Sequence, residues 1–352
     1  MRILAILYLF SCVCALGEIV EVTPILTTPE DPRYFQWALR VIQGAREEVL
    51  VMLSDCRRYS WDSPANELTT ALATVGTRGV SVRVLLERGK QPAPEAEAAF
   101  AYLVERGVEV RWDNPEVTLH AKLLLIDREF VLLGSSPWTY NGLFGSVQVD
   151  LLVRSRSVAR AFWEFFELVW EGRLDVETAL GRPKIPALVP VPDLPEGELS
   201  HLVLAQELLA DAEAQVGLML YKLRYYPQYP MSPSNELLSE LVGAVARGAR
   251  VRVLLEGGEE YTDTNFVSET REVATYLLLH GVQVRFDSPG STLHAKLLVV
   301  DEKDLIVSSA NWSYYSLVKN VEAGITLVNV PALGEVLQEF FDILWERSRE
   351  LP

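Results

Sequence analysis

Apolar residues fall in short blocks along this 352-residue chain, separated by polar turns and by stretches of helical spacing. The run at 49–53 is short and apolar at every position and reads as a buried strand. Residues 80–86 read as a second strand. Residues 66–77 and 95–106 carry apolar side chains at helical intervals, and Gly79 and Gly107 stop them. A third strand is predicted at 108–112, a fourth around residue 120, and a fifth at 130–134 after the polar Asp127-Arg128-Glu129 turn. Residues 149–153 read as another strand, and 158–171 as a closing amphipathic helix. This order predicts an α/β sandwich, a mixed sheet covered by helices.

The same blocks recur in the second half. Asn66-Glu67-Leu68 matches Asn235-Glu236-Leu237, and Val82-Arg83-Val84-Leu85-Leu86-Glu87 matches Val251-Arg252-Val253-Leu254-Leu255-Glu256. Phe165-Phe166-Glu167 matches Phe340-Phe341-Asp342. A repeat of half the chain is too long for a solenoid and implies two fused copies of one domain. The expected boundaries are 18–180 and 198–352. Between them, 181–197 carries Pro183, Pro186, Pro190, Pro192 and Pro195 and reads as an extended linker with little regular structure.

Charge narrows the partners. With 32 basic and 48 acidic residues the net charge is −16, against the basic footprint usual in nucleic-acid binding. No internal stretch approaches the roughly 18 apolar residues of a membrane span. Residues 1–17 differ: Met1-Arg2, an apolar run, then small residues before Glu18 resemble an export signal. Leu9-Phe10-Ser11-Cys12 fits a lipoprotein box, and Ala15-Leu16-Gly17 fits ordinary cleavage. The expectation is an exported protein, secreted, periplasmic or lipid-anchored. Cys56 alone lies beyond that segment, which predicts no disulfide framework, and no Cys/His spacing suggests zinc.

The densest repeat is Thr-Leu-His-Ala-Lys-Leu-Leu, carrying His120 and Lys122 in one half and His294 and Lys296 in the other. Asp127 and Asp301 follow each His by seven residues. The tails are Gly134-Ser135-Ser136-Pro137 and Ser308-Ser309-Ala310-Asn311. On a strand, His and Lys two residues apart project together. An imidazole can act as nucleophile or proton carrier near pH 7, and an adjacent ammonium suits a phosphoryl oxygen. Two such pairs in register suggest one active site built from two halves.

These motifs resemble the phospholipase D superfamily, whose signature is His-x-Lys, an Asp after four further residues, then Gly-Ser-x-Asn. The resemblance covers nearly all of the chain after residue 17. It implies two tandem phospholipase D-like α/β sandwich domains related by pseudo-two-fold symmetry, with the site at their interface. It also implies that one of His120 and His294 attacks phosphorus while the other carries the proton, with no metal or other cofactor. By the same resemblance Lys122, Lys296, Ser135, Ser309 and Asn311 would bind phosphate. Asp127 and Asp301 would shape hairpins, and Asp150 and Glu322 would orient the histidines. Pro137 in place of Asn, and Ser308 in place of Gly, depart from the signature.

The segment Tyr221-Lys222-Leu223-Arg224-Tyr225-Tyr226-Pro227-Gln228-Tyr229 and its counterpart from Arg57 to Trp61 interleave aromatics with cations and are expected at the rim of the site. Trp138, Trp312, Tyr314 and Tyr315 line the pocket or the core, and His201 and His280 read as surface or helix-end residues. The expected activity is hydrolysis of a phospholipid headgroup ester by a monomer that can associate with a membrane surface. Metal-independent nucleic-acid cleavage and phosphatidyl transfer are the alternatives; a non-catalytic binding protein is disfavoured by the intact His and Lys pairs.

Overall fold

The computed structural model describes residues 10–13, 19–174, 187–195, 197–258 and 264–350. The first half contains β1 (Phe10–Val13), β2 (Ile19–Thr27), α1 (Arg33–Gly44), β3 (Glu48–Leu53), α2 (Pro64–Thr77), β4 (Ser81–Leu86), α3 (Pro94–Glu105) and β5 (Glu109–Trp112). It continues with β6 (Lys122–Ile126), β7 (Phe130–Gly134), α4 (Tyr140–Phe144), β8 (Ser146–Arg154) and α5 (Arg156–Trp170). The second half contains β9 (Leu188–Asp193), α6 (Ser200–Ala210), β10 (Gln215–Leu220), α7 (Pro233–Arg247), β11 (Arg250–Leu255), α8 (Thr264–Leu279) and β12 (Gln283–Phe286). It ends with β13 (Thr292–Leu293), β14 (Lys296–Val300), β15 (Asp304–Ser308), α9 (Tyr314–Val318), β16 (Glu322–Leu327) and α10 (Pro331–Arg347).

Each half builds a mixed sheet, and the two follow one plan. The first runs β1-β2-β8-β7-β6-β3-β4-β5 and the second β12-β11-β10-β14-β15-β16-β9. β3, β4 and β5 are parallel, as are β10, β11 and β12. Parallel neighbours need crossovers, which α2, α3, α7 and α8 supply. Side chains then alternate between two cores. Leu50, Met52, Leu123 and Leu125 enter a central core, whereas Val49, Val51, Leu124 and Ile126 face the outer helices. Leu297 and Val299 join the same central core, and Leu298 and Val300 face outward. The sheets of the two halves therefore share one core, and α5 and α10 add Phe162, Phe165, Phe340 and Phe341 to it. Burial on both faces is why central blocks such as 49–53 and 123–126 are apolar at every position. The expected pair of α/β domains with pseudo-two-fold symmetry is thus present.

The linker expectation changes, and the sequence pattern missed further elements. Leu188–Asp193, predicted as irregular linker, forms β9 antiparallel to β16 at a sheet edge. Pro190 and Pro192, two residues apart, turn their missing N–H groups to the same outer side, where an edge strand tolerates them. Residues 181–186 and 196 lie outside the described residues. Within the segment read as a signal, Phe10–Val13 pairs with β2 as β1, Cys12 opposite Val20, and the remainder of 1–17 lies outside the described residues. β2 and α1 were not anticipated by the sequence pattern; they complete the first sheet and its outer layer. Among the described residues no helix is long and apolar enough to cross a membrane.

The motif aspartates sit in the turns between β6 and β7 and between β14 and β15. Asp127 and Arg128 have φ of 52° and 51°, and Asp301 and Glu302 have 50° and 54°, the left-handed pair at the centre of a tight turn closed by Glu129 N–H to Ile126 O and Lys303 N–H to Val300 O. Each carboxylate also gathers the entry to a central strand. Asp127 accepts N–H bonds from Arg46, Glu47 and Glu48, and Asp301 from Glu213, Ala214 and Gln215, at 2.8–3.2 Å. Asp301→Ala is expected to destabilise the fold by about 2 kcal/mol, the scale of hydrogen bonds to a charged acceptor, while the folded fraction keeps its site geometry. Urea titration alongside activity per folded molecule checks this; loss of specific activity without loss of stability would contradict it.

Candidate active site between the halves

His120 and His294 lie just outside the strands on which the sequence pattern places them. Each occupies a short extended segment that leaves one sheet and enters the other. β13 pairs in parallel with β8 of the first half, and His294 donates its N–H to Val147 O at 2.9 Å. Leu119 bridges to Val321 of the second half, and His120 donates its N–H to Val321 O at 2.9 Å. Two residues later each chain joins its own sheet as β6 or β14. The exchange is reciprocal, so each imidazole is presented to the other half.

The imidazole partners come from across the interface. Glu322 Oε2 lies 2.8 Å from His120 Nδ1. That carboxylate is fully buried and also accepts from Ser309 Oγ at 2.5 Å and, through Oε1, from Asn320 Nδ2 at 3.1 Å. His294 Nδ1 lies 2.9 Å from Ser135 O and 3.1 Å from Gln148 Oε1. Both are acceptors, so Nδ1 of His294 carries a hydrogen and Nε2 is left toward the cleft. A carboxylate thus backs one imidazole and a neutral amide with a carbonyl backs the other.

This corrects the assignment of Asp150. β7–β8 pairing sets Gly134 opposite Asp150, and β15–β16 pairing sets Ser308 opposite Gly324. Asp150 therefore corresponds to Gly324, and Gln148 corresponds to Glu322. Asp150 lies a further two residues along β8, about 6.8 Å at the strand rise, and turns to Ser136. It accepts from Ser136 N at 3.1 Å and Ser136 Oγ at 2.6 Å. Burial pushes its carboxyl up to about 7, with the Ser136 bonds opposing. The interval from His294 to Glu322 is 28 residues, and the same interval from His120 ends on Gln148, a spacing signal the sequence reading missed. The departure from Gly at Ser308 has its counterpart here: a Cβ on Gly324 would lie 2.8 Å from Ser308 Cβ, so only one of the facing positions can carry a side chain.

Lys122 and Lys296 are buried, and each Nζ donates to the carbonyl of its own His, at 2.7 and 2.6 Å. Burial lowers Lys122 to about 8, with Glu322 opposing, and burial and Lys122 lower Lys296 well below its usual value. His120 is lowered by burial, offset in part by Glu322. His294 is lowered well below the usual range by burial, then by Lys296, Lys122 and His120. Burial raises Glu322, but His120, Lys122 and Ser309 outweigh it and hold the carboxyl at about 2. The reciprocal exchange brings the two His-Lys pairs close enough for their charges to act on one another, each lowering the other's affinity for protons.

The tail serines are placed differently from the expectation that their hydroxyls meet phosphate. Ser135 and Ser309 are fully buried. Ser135 Oγ bonds to the backbone of Val149, and Ser309 Oγ bonds to Glu322 and Ala323 N. Their bonds hold the partners of His294 and His120. Asn311 accepts from Lys222 N through Oδ1 at 3.2 Å, which leaves its Nδ2 as a donor; Pro137 has no such group.

A family model described as "Cardiolipin synthase, PLD-like domain" matches residues 39–170 and 206–345, one copy in each half. The chain belongs to this family. It is 27% identical over 93% of its length to cardiolipin synthase A of Cronobacter sakazakii, covering 70% of that protein. It is 30% identical over 38% of its length to the mitochondrial cardiolipin hydrolase of Mus musculus, and spans 56% of that protein. Phosphatidylserine synthase of Haemophilus influenzae shares the fold, with a TM-score of 0.73 over 94% of this chain and 87% of that one at 12% identity.

Around the PLD-like site, a cleft of about 200 Å³ is lined by Pro137, Asn141, Gln148, Tyr221, Thr292 and His294 among others. The Tyr221 ring lies 5.0 Å from that of His294, and Lys296 Nζ lies 5.3 Å from the Tyr221 centroid. Trp61, Tyr140, Tyr229, Tyr314 and Tyr315 are exposed. Trp138 and Trp312 are buried core residues. They donate to Tyr34 Oη and His201 Nε2, both at 3.1 Å. His201, expected near the surface, is buried, and burial lowers it to about 4. His280 follows the end of α8, exposed, with its Nδ1 2.7 Å from Tyr276 O.

Glu322→Gln is expected to lower the His120 pKa further, and Gln148→Glu to raise that of His294, in imidazole NMR titrations. Because the Glu322 pKa is depressed, its stabilisation is present above the ordinary 4.5 and lost as pH falls toward 2. Acid unfolding should therefore be steeper in the wild type than in Glu322→Gln. Unchanged imidazole titrations in both variants would separate these side chains from the histidines.

Proposed function

We propose that the chain cleaves phospholipid headgroup esters through a phosphohistidine, with His120 as nucleophile and His294 as proton carrier. The observation that carries this is the reciprocal exchange that puts two imidazoles with unlike partners in one cationic site. Glu322 accepts a hydrogen bond from the Nδ1–H of His120, leaving the Nε2 lone pair for phosphorus, and its charge offsets the positive phosphoimidazole. The P–O bond to the headgroup breaks as the P–N bond forms. His294, as imidazolium, gives its Nε2 proton to the leaving oxygen. Burial first and the nearby cations second lower His294; a bound phosphodiester anion offsets the cations' share and so shifts His294 toward the proton-loaded form. Water then loses a proton to His294, attacks phosphorus and releases His120. Lys122, Lys296 and Asn311 Nδ2 hold the phosphoryl oxygens in place of a metal.

Similarity to a cardiolipin synthase and a cardiolipin hydrolase supports a phospholipid substrate. The net charge of −16 disfavours duplex DNA, and the exposed Trp61 and Tyr140 of the first half and Tyr229, Tyr314 and Tyr315 of the second suit a headgroup layer. A second reading, phosphatidyl transfer, is favoured by the match to the synthase over 93% of the chain. It differs only in the last step, where an alcohol replaces water. Export directed by residues 1–17 would bring the enzyme to envelope lipid, and the mass of the mature amino terminus tests that proposal.

On vesicles of phosphatidylcholine, phosphatidylglycerol or cardiolipin with EDTA present, headgroup release is expected, and single-stranded and duplex DNA at matched salt should be poor substrates. Free phosphatidate marks hydrolysis, and a new diester formed with added glycerol or phosphatidylglycerol marks transfer. DNA cleavage without headgroup release would replace the lipid reading by a nuclease, and loss on chelation would point to metal chemistry.

Either His120→Ala or His294→Ala should lower turnover at least roughly 100-fold. With a p-nitrophenyl ester, whose leaving group needs no proton, His294→Ala should still form the phosphoenzyme and His120→Ala should not. The opposite pattern would reverse the two roles.

A further inference from the structure

Two acidic pairs lie outside the imidazole cleft, one in each half at matched positions. Glu87 and Asp113 follow β4 and β5, and Glu256 and Asp287 follow β11 and β12. Glu256 Oε2 accepts Leu293 N–H at 2.7 Å and Oε1 accepts Gly258 N–H at 2.8 Å, while Asp287 Oδ1 accepts Gly257 N–H at 2.8 Å. Glu87 Oε2 accepts Leu119 N–H at 2.5 Å and Oε1 accepts Gly89 N–H at 3.0 Å, while Asp113 Oδ1 accepts Arg88 N–H at 2.7 Å. Leu119 and Leu293 immediately precede His120 and His294. Each crossing segment is therefore gripped at two successive N–H groups: the Leu by a carboxyl of its own half, the His by a strand carbonyl of the other.

We propose that Glu87 with Asp113, and Glu256 with Asp287, are proton-sharing pairs that position the backbone under the two reacting imidazoles. In each pair the Glu carries the proton and donates it to the Asp carboxylate. Asp287 Oδ2 is buried with no hydrogen-bond donor among the described residues, and a proton on Glu256 supplies one. Burial, then the facing aspartate, raises Glu87 and Glu256 to about 8. The charged groups facing the pairs are Lys122 on the Glu87 side and Arg349 on the Asp287 side. With the proton in place, the pair presents one negative charge and a fixed geometry. Without it, two adjacent carboxylates repel, and the grip on Leu119 or Leu293 loosens. A raised carboxyl pKa stabilises the fold most at low pH, a contribution that declines as pH rises from 4.5 through about 8.

The inference rests on reading His120 and His294 as the reacting groups, so its tests include readouts that need no turnover. In the full chain at pH 7, infrared spectra should show protonated carboxyl absorption that falls in Glu87→Gln/Glu256→Gln to the share contributed by Asp150. Amide exchange at Leu119 and Leu293 should stay slow in the Gln variants, whose carboxamide can still donate and accept, and become fast in Glu87→Ala and Glu256→Ala. With soluble bis(p-nitrophenyl) phosphate, each Ala variant should lose at least about 10-fold in kcat with KM nearly unchanged, as displacement of a reacting group predicts, and Gln should restore most of it. If Glu256→Ala does not fold, Glu87→Ala and its Gln counterpart carry the comparison, since Glu87 is only partly buried. Bands unchanged by Gln, or Ala variants with wild-type exchange and kcat, would overturn the proposal. A wild type inert toward the probe, with bands and exchange as expected, would instead count against the reacting-group reading alone.

Discussion

The structure depends on a reciprocal backbone exchange. Each His-bearing segment gives its His N–H to a backbone carbonyl of the other half before it enters its own sheet. These bonds are short and in register, and they are flanked by Leu119, Ala121, Leu293 and Ala295, all buried in the core that the two sheets share. The apolar contact supplies the driving force for the halves to meet, and the directional bonds set the registry at which they meet. Neither half alone can complete an imidazole site, because Glu322 belongs to His120 and Gln148 to His294.

Near-symmetry at the backbone supports asymmetry in the chemistry. Val147 and Val321 accept equivalent bonds, yet the next residue is a neutral amide in one half and a carboxylate in the other. Glu322 is affordable in a fully buried position because His120, Lys122, Ser309 and Asn320 all serve it. Gln148 needs no such retinue and leaves His294 among cations with no opposing carboxylate at its ring. Two identical halves would give two imidazoles of the same affinity for protons. Substituting one side chain at matched positions separates them, which is what an attack and a proton transfer on one phosphorus require.

Charge burial in the site runs through short local bonds. Lys122 and Lys296 each turn one donor back to the carbonyl of the preceding His, which fixes the ammonium while leaving donors for an anion. The motif aspartates stand apart from this site, in the hairpin turns, where they tie the loops entering β3 and β10 to the strands carrying the lysines. The motif is therefore part chemistry and part scaffold, and its conserved spacing between the two halves reflects both.

Local pattern alone determined much of this protein. Uninterrupted apolar runs such as 49–53 and glycine stops such as Gly79 and Gly107 marked the strands and helices, because burial on both sheet faces and helix termination are local requirements. The doubled Thr-Leu-His-Ala-Lys-Leu-Leu string marked the two halves and the two His-Lys pairs whose segments cross between them. What lay beyond the sequence was register between distant strands. Counting along the chain made Asp150 look equivalent to Glu322, whereas pairing of Gly134 with Asp150 and of Ser308 with Gly324 makes Gln148 the equivalent residue. The proline-rich stretch looked irregular because its pairing partner, β16, lies more than a hundred residues away. The inward turn of Ser135 and Ser309, and the burial of His201 against Trp312, likewise follow from which face of a strand or helix meets the core. A shift of two residues preserves the hydrophobic alternation of a strand while moving each side chain about 6.8 Å, so sequence periodicity cannot resolve it and tertiary hydrogen bonding must.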